Sequence, residues 1–418
     1  MNNKSCLLIS VFLMSTSNVA SSDDGDHGPN GLNANAKKAL MQSGVNKYLG
    51  RFTPTASQDV GDGWTKHTYA NTPDVFFGDG PLCIAGTPYS LFTKARNPKN
   101  LLIFMQGGGA CWQDFYFCNI LSEAQEPPPN PPFGIWDDSI PPGAKESPNP
   151  LADYSIVYMP YCDGSVFTGD NDVPDANFPF GPVRFHRGLE NASAGIDMAK
   201  AMFPKARRIL VAGSSAGGVG AASFAPFLTR MAFGNQVRLS VFNDAGPVAV
   251  DLNDFRGGIP LRAADWNFGQ LYPASCTECS DLGQPTAIIK WRLDNDSTIR
   301  ESFYSTDGDA TDRFFLGVPT QEMYRNLIVT EHGKLNAAHP DRYKRFIRSG
   351  DDFHTALQTP LFYFGTANGV PLNEWVEDFL RPGERAYRER DDDDDDKRGP
   401  KRSSWVDIVE DFVPLPAP

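Results

Sequence analysis

The stretch GSSAG, residues 213–217, carries a pattern that can do nucleophilic chemistry. It follows the apolar run RRILVA, which is typical of a buried strand, and we expect a helix after Gly217. A serine on a sharp turn from strand to helix exposes its hydroxyl at the edge of a sheet. Only Ser215 has glycines two residues before and two after it. We therefore predict Ser215 as the nucleophile and Ser214 as a bystander, with a plain glycine-rich turn as the alternative.

A second glycine run, residues 107–109, ends the apolar segment LLIFMQ. Acyl transfer needs backbone N–H groups that face the developing oxyanion, and glycines leave such groups unobstructed. A plain turn would also explain one glycine run. Because two such motifs end two predicted strands, the pair favours an acyl-transfer site.

A serine nucleophile also needs a base and an acid that orients the base. Asp244 ends the next apolar run, VRLSVFND, and Asp294 and Asp296 follow TAIIKWRL, which we interpret as the strand after that. The acid usually follows the second strand after the nucleophile, so the Asp294/Asp296 pair is favoured over Asp244. Asp244 is left to shape the pocket floor or to cap a loop.

Three histidines lie downstream of the nucleophile. His332 and His339 belong to the polar segment EHGKLNAAHP, which we expect to be a solvated helix or loop. His354 follows the partly apolar YKRFIRS and precedes a possible last helix. That loop position is where the base is expected, so we predict His354 as the base.

The elements that position these residues alternate between strands and helices. Short apolar runs bounded by turn residues predict buried strands at 100–106, 154–159 and 207–213, and the spacing of apolar residues predicts a helix over 186–203. This alternation is typical of an α/β fold, with a mostly parallel central sheet covered by helices on both faces. A further short helix is possible near 36–48.

The two ends of the chain differ in composition from the middle. Residues 1–20 have the charge, short apolar core and small-residue site of a signal peptide, which predicts a secreted or periplasmic protein. Residues 21–60 read as a polar N-terminal extension and 61–380 as the catalytic domain. Residues 381–418 read as a charged, disordered tail, in which SSWVDIVEDFVPL can dock back onto the domain. The proline-dense segment 126–150 is expected to be an irregular surface excursion.

Charge and cysteine content limit the partners. A formal net charge of −13 argues against nucleic acid, and no further segment could span a membrane. Removal of the signal peptide takes Cys6 and leaves six of the seven cysteines, an even number that predicts disulfides. Cys276 and Cys279 lack a second CxxC, so we expect a disulfide loop there and no metal or cofactor.

Several blocks together make the chain resemble the pectinacetylesterase family, which includes the Notum-type carboxylesterases of the α/β-hydrolase superfamily. The resemblance runs from about residue 83 to 363 and rests on CIAGTPYSLF, LLIFMQGGGACW, YCDGSVFTGD, HRGLENA, VAGSSAGGVGA, DNDSTIRESFY and HTALQTPLFY. It implies an α/β-hydrolase-like fold and a serine esterase that works through an acyl-enzyme.

The resemblance also implies roles for single residues. Ser215, His354 and Asp296 would be the catalytic triad, with Asp296 preferred to Asp294 because a short polar stretch and an aromatic pair follow it. The N–H groups of Gly108, Gly109 and Ala216 would form the oxyanion hole, and a Cys111–Cys118 disulfide would brace that loop. Trp112 is displaced past the cysteine relative to relatives, so we expect it in a substrate-binding wall that differs from theirs.

The substrate expected from the resemblance is an acetylated extracellular polysaccharide. A longer acyl ester or a polyester is the alternative, since 29 phenylalanines are compatible with an apolar pocket. A catalytically silent binding protein on the same fold is a second alternative. The acidic chain would attract a polyanion only if the cleft were locally basic, for which Arg184, Arg187 and Arg300 are candidates.

Overall fold

A computed structural model of the chain describes residues 31–69, 80–120, 133–137, 148–252, 258–381 and 405–416. The predicted signal peptide, most of the proline-dense segment and the acidic run 391–396 lie outside the described residues. Among those described, no helix combines the length and the apolar character that a membrane crossing requires.

The strands in chain order are β1 (Ala56–Gly61), β2 (Trp64–Thr68), β3 (Ser90–Lys94), β4 (Asn97–Met105), β5 (Gly109–Trp112), β6 (Phe115–Cys118), β7 (Tyr154–Met159), β8 (Asn171–Pro174), β9 (Val183–His186), β10 (Arg208–Ser214), β11 (Arg238–Asp244), β12 (Arg300–Thr306), β13 (Tyr343–Arg348), β14 (Thr366–Ala367), β15 (Val370–Pro371) and β16 (Ile408–Val409). The helices are α1 (Ala34–Ser43), α2 (Gly188–Met202), α3 (Ala216–Ala222), α4 (Ala225–Phe233), α5 (Ile259–Trp266), α6 (Thr286–Asn295), α7 (Ala310–Leu316), α8 (Gln321–Ala338), α9 (Leu361–Phe364) and α10 (Leu372–Leu380).

One large sheet has the strand order β1-β2-β3-β7-β4-β10-β11-β12-β13-β16. The pairs from β7 to β16 are parallel, whereas β1, β2 and β3 join antiparallel at one side. The mostly parallel sheet that the sequence predicts is therefore confirmed. In parallel strands all carboxyl ends meet at one edge, and residues that follow β4, β10, β11 and β12 are gathered there.

Alternate residues of the central strands point to two different cores. Leu101 and Ile103 of β4 belong to the larger core, which α2, α4 and α8 cover. Leu102 and Phe104 point to the other face, where Trp375 of α10 contributes. Because both faces are apolar, these strands read as continuous apolar runs, which made them easy to find in the sequence.

One predicted strand is wrong. TAIIKWRL does not form a strand but lies in α6, and the strand after β11 is β12, with the sequence RESFYST. Ile288, Ile289 and Trp291 are all buried, so α6 shows little contrast between its faces. A short apolar run of this kind cannot be assigned to a helix or a strand by periodicity alone.

The chain ends contribute more to the domain than their composition predicts. Helix α1 lies in the predicted polar extension, yet its Leu40 is fully buried in the larger core. At the other end Ile408 in β16 pairs with Phe346 of β13, and Trp405 is buried. The predicted docking of the C-terminal segment is confirmed. Within the proline-dense segment Trp136 is also buried, so that part is not a surface excursion.

Candidate active site

Ser215 lies on the turn between β10 and α3 with backbone angles φ 57° and ψ −122°. This left-handed conformation costs free energy in a residue with a side chain, and it persists only where the surrounding structure imposes it. A Cβ at Gly213 would lie 2.2 Å from the Gly217 carbonyl oxygen, and one at Gly217 would lie 2.0 Å from the Met105 oxygen. Because a side chain at either position would clash with a backbone oxygen, both residues must be glycine. The turn has the geometry of a nucleophile elbow.

Asp244 ties the nucleophile turn to the histidine loop. The parallel register places Ser214 beside Asp244, whose Oδ2 accepts a hydrogen bond from Ser214 Oγ at 2.5 Å. The same carboxylate accepts the backbone N–H groups of Ala356 and Leu357 at 2.9 and 3.0 Å. The loop that carries His354 is thereby held beside the turn that carries Ser215.

The partner of His354 is Asp309. Asp309 Oδ2 lies 2.7 Å from His354 Nδ1, and Asp309 Oδ1 accepts the backbone N–H of Asp312 at 2.8 Å. Asp309 is fully buried and caps the N-terminus of α7, just after β12. His354 Nε2 is also buried and has no hydrogen-bond partner among the described residues. A proton held on Nδ1 by Asp309 leaves Nε2 as the nitrogen that can accept a hydroxyl proton.

The prediction of Asp296 as the acid is wrong. Asp296 Oδ2 forms a buried ion pair with Arg230 Nε at 2.7 Å, and its Oδ1 accepts the N–H groups of Thr298 and Ile299. Asp296 precedes β12, so it lies at the amino edge of the sheet, whereas Ser215 follows β10 at the carboxyl edge. The alternative, Asp294, lies in an exposed position, where it contacts His339 Nε2 and Lys290 Nζ instead.

The other histidines are accounted for elsewhere. The sequence predicts a solvated His332, but His332 is fully buried. It stacks on Phe303 and hydrogen-bonds Tyr343. His339 pairs with Asp294, away from the elbow. Among the histidines of the described residues, His354 is the one that meets a buried carboxylate near the nucleophile turn.

A second carboxyl group, Asp312, lies beside the His354–Asp309 pair. Its Oδ1 is 3.6 Å from His354 Nδ1, and its Oδ2 accepts a hydrogen bond from Tyr324 at 2.6 Å. Asp309, Asp312 and His354 offer one ligand atom each within 4.8 Å, a set that could also take a metal ion. Sequence reasoning missed both aspartates. The position of acidic residues directly after the strand RESFYST is the sequence signal that could have identified them.

Burial and charge act in opposite directions on these groups. Burial favours neutral His354, but the charges of Asp312 and Asp309 outweigh it and raise the pKa of His354 to about 9. Burial, together with the neighbouring Asp309 charge, raises the pKa of Asp312 well above its usual range. The site therefore favours the protonated form of Asp312 and, through the neighbouring carboxylates, the imidazolium form of His354.

The predicted oxyanion donors lie where two parallel strands end side by side. The glycine run follows β4 and Ala216 begins α3 after β10, and these strands are neighbours. Gly109 has φ +78°, and a Cβ there would lie 2.1 Å from the Phe117 carbonyl oxygen. Gly109 and Ala216 line the same cavity as Ser215, whereas Gly108 packs against Tyr161 and Asn119. The oxyanion role of all three stays a prediction.

The cavity beside Ser215 has a volume of about 120 Å³ and mostly apolar walls. Trp112 is part of the wall, stacked on Phe115 and edge-on to Trp266. The lining residues are Gly109, Ala110, Trp112, Val166, Thr168, Ser215, Ala216, Val219, Ser223, Phe224, Pro247, Val248, Val250, Ile259, Arg262, Trp266, Phe268, Tyr272, Asp281, Gly283, Pro285, Ile288, Asp312, Phe315 and Leu316. The arrangement can enclose an apolar group attached to the carbon that Ser215 would attack.

Three disulfides fix the loops around this region. Cys111 bonds to Cys118 and so closes the hairpin of β5 and β6, as the resemblance implies. Cys83 bonds to Cys162, and Cys276 bonds to Cys279. The expected disulfide loop at the CxxC motif is confirmed.

The strand order and the elbow define an α/β-hydrolase-like fold, and a solved structure shares it. The Wnt deacylase Notum from Drosophila superimposes with a TM-score of 0.54 at 16% identity, covering 75% of this chain and 92% of that one. At this identity the likeness concerns the fold.

Sequence comparison shows similarity to pectinacetylesterases. Residues 77–264 match the model of the family described as Pectinacetylesterase. Pectin acetylesterase 11 of Arabidopsis thaliana is 30% identical over 217 residues, which are 47% of this chain and about half, 52%, of that protein. The predicted resemblance to the pectinacetylesterase family is confirmed, and the likeness to Notum is one of fold.

Proposed function

We propose that the protein is a secreted serine esterase that removes O-acetyl groups from a polysaccharide. The observation that carries the proposal is the strained elbow at Ser215 together with the pair of His354 and buried Asp309, and an apolar cavity that Ser215 lines. A match to a pectinacetylesterase family model supports acetyl esters of polysaccharide as the substrate class. Disulfides are typical of exported proteins and support secretion.

The residues take the following roles in this mechanism. His354 Nε2 removes the proton from Ser215 Oγ, which attacks the ester carbonyl, while Asp309 stabilises the imidazolium that forms. The backbone N–H groups of Ala216 and the glycine run stabilise the oxyanion. His354 then protonates the leaving alcohol and activates the water that hydrolyses the acyl-enzyme.

Labelling with a fluorophosphonate tests the nucleophile and the silent binding protein together. We expect wild type to be labelled on Ser215, located by mass spectrometry, and to hydrolyse p-nitrophenyl acetate. Ser215→Ala should lose both properties and keep its fold. Ser214→Ala is the matched control, because its hydroxyl holds Asp244 and does not face the cavity; it should still be labelled. Unlabelled wild-type protein would favour the silent binding protein.

A longer acyl ester is the second candidate, and the cavity is the observation that favours it. Its walls include Phe224, Trp266 and Phe315, and an acetyl group would fill only part of the space. Comparison of p-nitrophenyl acetate with p-nitrophenyl octanoate separates the two candidates. A higher kcat/KM for octanoate would replace the deacetylase proposal with a long-chain esterase.

A further inference from the structure

Arg262 is a cation in the wall of the apolar cavity. It lies on α5 and lines the same space as Ser215 and Ala216. Its guanidinium carbon is 5.4 Å from the centre of the Trp112 ring and 5.9 Å from that of Trp266. The two indole rings hold the guanidinium at the cavity but offer it no hydrogen-bond acceptor.

No acidic side chain neutralises Arg262 within the described part of the chain, where its guanidinium makes neither an ion pair nor a hydrogen bond. Burial lowers the pKa of Arg262 to about 10, and no carboxylate offsets that effect. Of the two acids that share the cavity wall, Asp312 is engaged by Tyr324, and neither Asp312 nor Asp281 pairs with the guanidinium.

The arginines that the sequence offered for a basic cleft are in a different situation. Arg184 is buried and bridges Asp175 and Asp265 at 2.7 and 2.6 Å. Arg187 pairs with Asp172 at 2.6 Å, and Arg300 donates to the Phe379 carbonyl. Acidic or carbonyl groups of the protein already bind all three guanidinium groups. These arginines are therefore not available to bind an anionic substrate.

A partly desolvated guanidinium without a partner gains from an anion that brings its own acceptors. Its planar set of N–H donors matches the two oxygens of a carboxylate, which can bind in a bidentate manner. The cavity would then contact an ester at Ser215 and a negative group at Arg262 at the same time.

We propose that Arg262 binds a carboxylate carried by the substrate and makes the site selective for anionic esters. The inference rests on the proposed esterase function and names a specificity residue for it. The carboxylate can stand on the acyl side or on the alcohol side of the scissile ester. Both sources present the same chemistry to the guanidinium.

The test compares each anionic substrate with its own methyl ester, so that only the charge changes. The acyl-side pair is p-nitrophenyl hydrogen glutarate and p-nitrophenyl methyl glutarate. The alcohol-side pair is O-acetylated galacturonate oligomers and their methyl esters. Arg262→Met keeps a long apolar stem against the indole rings and removes the charge. Arg262→Lys keeps the charge, and Leu261→Gln, a 42% exposed neighbour on α5, is the matched control.

We expect wild type to prefer the acid over its methyl ester in one of the two pairs. Arg262→Met should reduce that preference in kcat/KM by about tenfold to a hundredfold, because the acid loses one charge-assisted pair that its methyl ester does not form. Arg262→Lys should retain part of the preference, and Leu261→Gln all of it. The pair that responds identifies the side that carries the carboxylate.

Failure of the inference can be told apart from failure of the proposed function. An active wild type without preference in either pair, or a preference that Arg262→Met leaves intact, overturns the carboxylate role alone. If no ester is hydrolysed, glutarate and galacturonate are titrated calorimetrically into wild type and Arg262→Met. Binding that depends on Arg262 would still support the site, and equal or absent binding would overturn it.

Discussion

Asp309→Asn is the substitution that tests the catalytic pair most directly. The two neighbouring carboxyl groups raise the pKa of His354 from 6.5 to about 9. At about 1.4 kcal/mol per pKa unit, this is about 3.5 kcal/mol of extra stability for the imidazolium, or roughly 300-fold in rate if all of it acts in the transition state. Because Asp312 contributes part of the pKa shift and remains in the variant, we expect kcat/KM at high pH, where it no longer changes with pH, to fall by about 30-fold to 300-fold.

The assay is the pH profile of p-nitrophenyl acetate hydrolysis, normalised to folded protein. His354 must be neutral to act as the base, so wild-type kcat/KM should rise about tenfold per pH unit and level off near pH 9. In Asp309→Asn the imidazolium is less stable, and the rise should move to lower pH together with the lower plateau. A purely structural role for Asp309 would lower the plateau without moving the profile.

Asp296→Asn is the matched control, since it removes the same charge at the site predicted from sequence. It leaves Arg230 buried without its partner, so we expect a loss of about 3 kcal/mol or more in the free energy of unfolding, measured with urea. The pH profile of the folded fraction should stay in place. A displaced profile in Asp296→Asn and an unchanged one in Asp309→Asn would refute the assignment.

Three further predictions concern stability. Burial raises the pKa of Glu190 from 4.5 to about 8, so its folded form keeps a proton that the unfolded chain releases; stability is full below about pH 4.5 and falls as pH rises to 8, by at most about 5 kcal/mol. Glu190→Gln should remove that slope from urea midpoints measured at pH 5 and pH 9, and an unchanged slope would contradict it. The raised pKa of His354 acts in the same direction: its contribution is full below about pH 6.5 and is lost as pH rises through 9, so His354→Gln should flatten the fall between these values. Gly217→Ala places a methyl group against the Met105 carbonyl and should cost about 2 kcal/mol or more and most of the fluorophosphonate labelling; a labelled, fully stable variant would show that the turn can relax.

The sharp turn at Ser215 was predictable because its signal is local. The left-handed backbone at Ser215 requires small neighbours within two residues, and that requirement is written in the sequence as GSSAG. The central strands were predictable for a similar reason, since strands buried on both faces form apolar runs. His354 required only its place in the chain after the last strands of the sheet.

The carboxylate partner of His354 was not predictable by the same means, because finding it depended on counting the strands correctly. Helix α6 is buried on most of its surface and resembles a strand in composition. When α6 is taken for a strand, the expected acid falls before RESFYST. When β12 is counted as the second strand after the nucleophile turn, the same rule leads to Asp309. The charged partner of Asp296, Arg230, lies on a helix distant in sequence and leaves no mark in the sequence around Asp296.

Asp244 shows why an interior aspartate that is not the acid can still decide the geometry of the site. Its pKa is raised to about 6 by burial, against the hydrogen bonds from Ser214, Ala356 and Leu357 that favour the carboxylate. Above that pH the charge is held by three donors from two separate segments, the nucleophile turn and the histidine loop. A carboxylate can accept from all of them at once, because its two oxygens together offer about four lone-pair sites. The parallel register of β10 and β11 thus does more than expose a serine, because it also places Asp244 where it anchors the loop that carries His354.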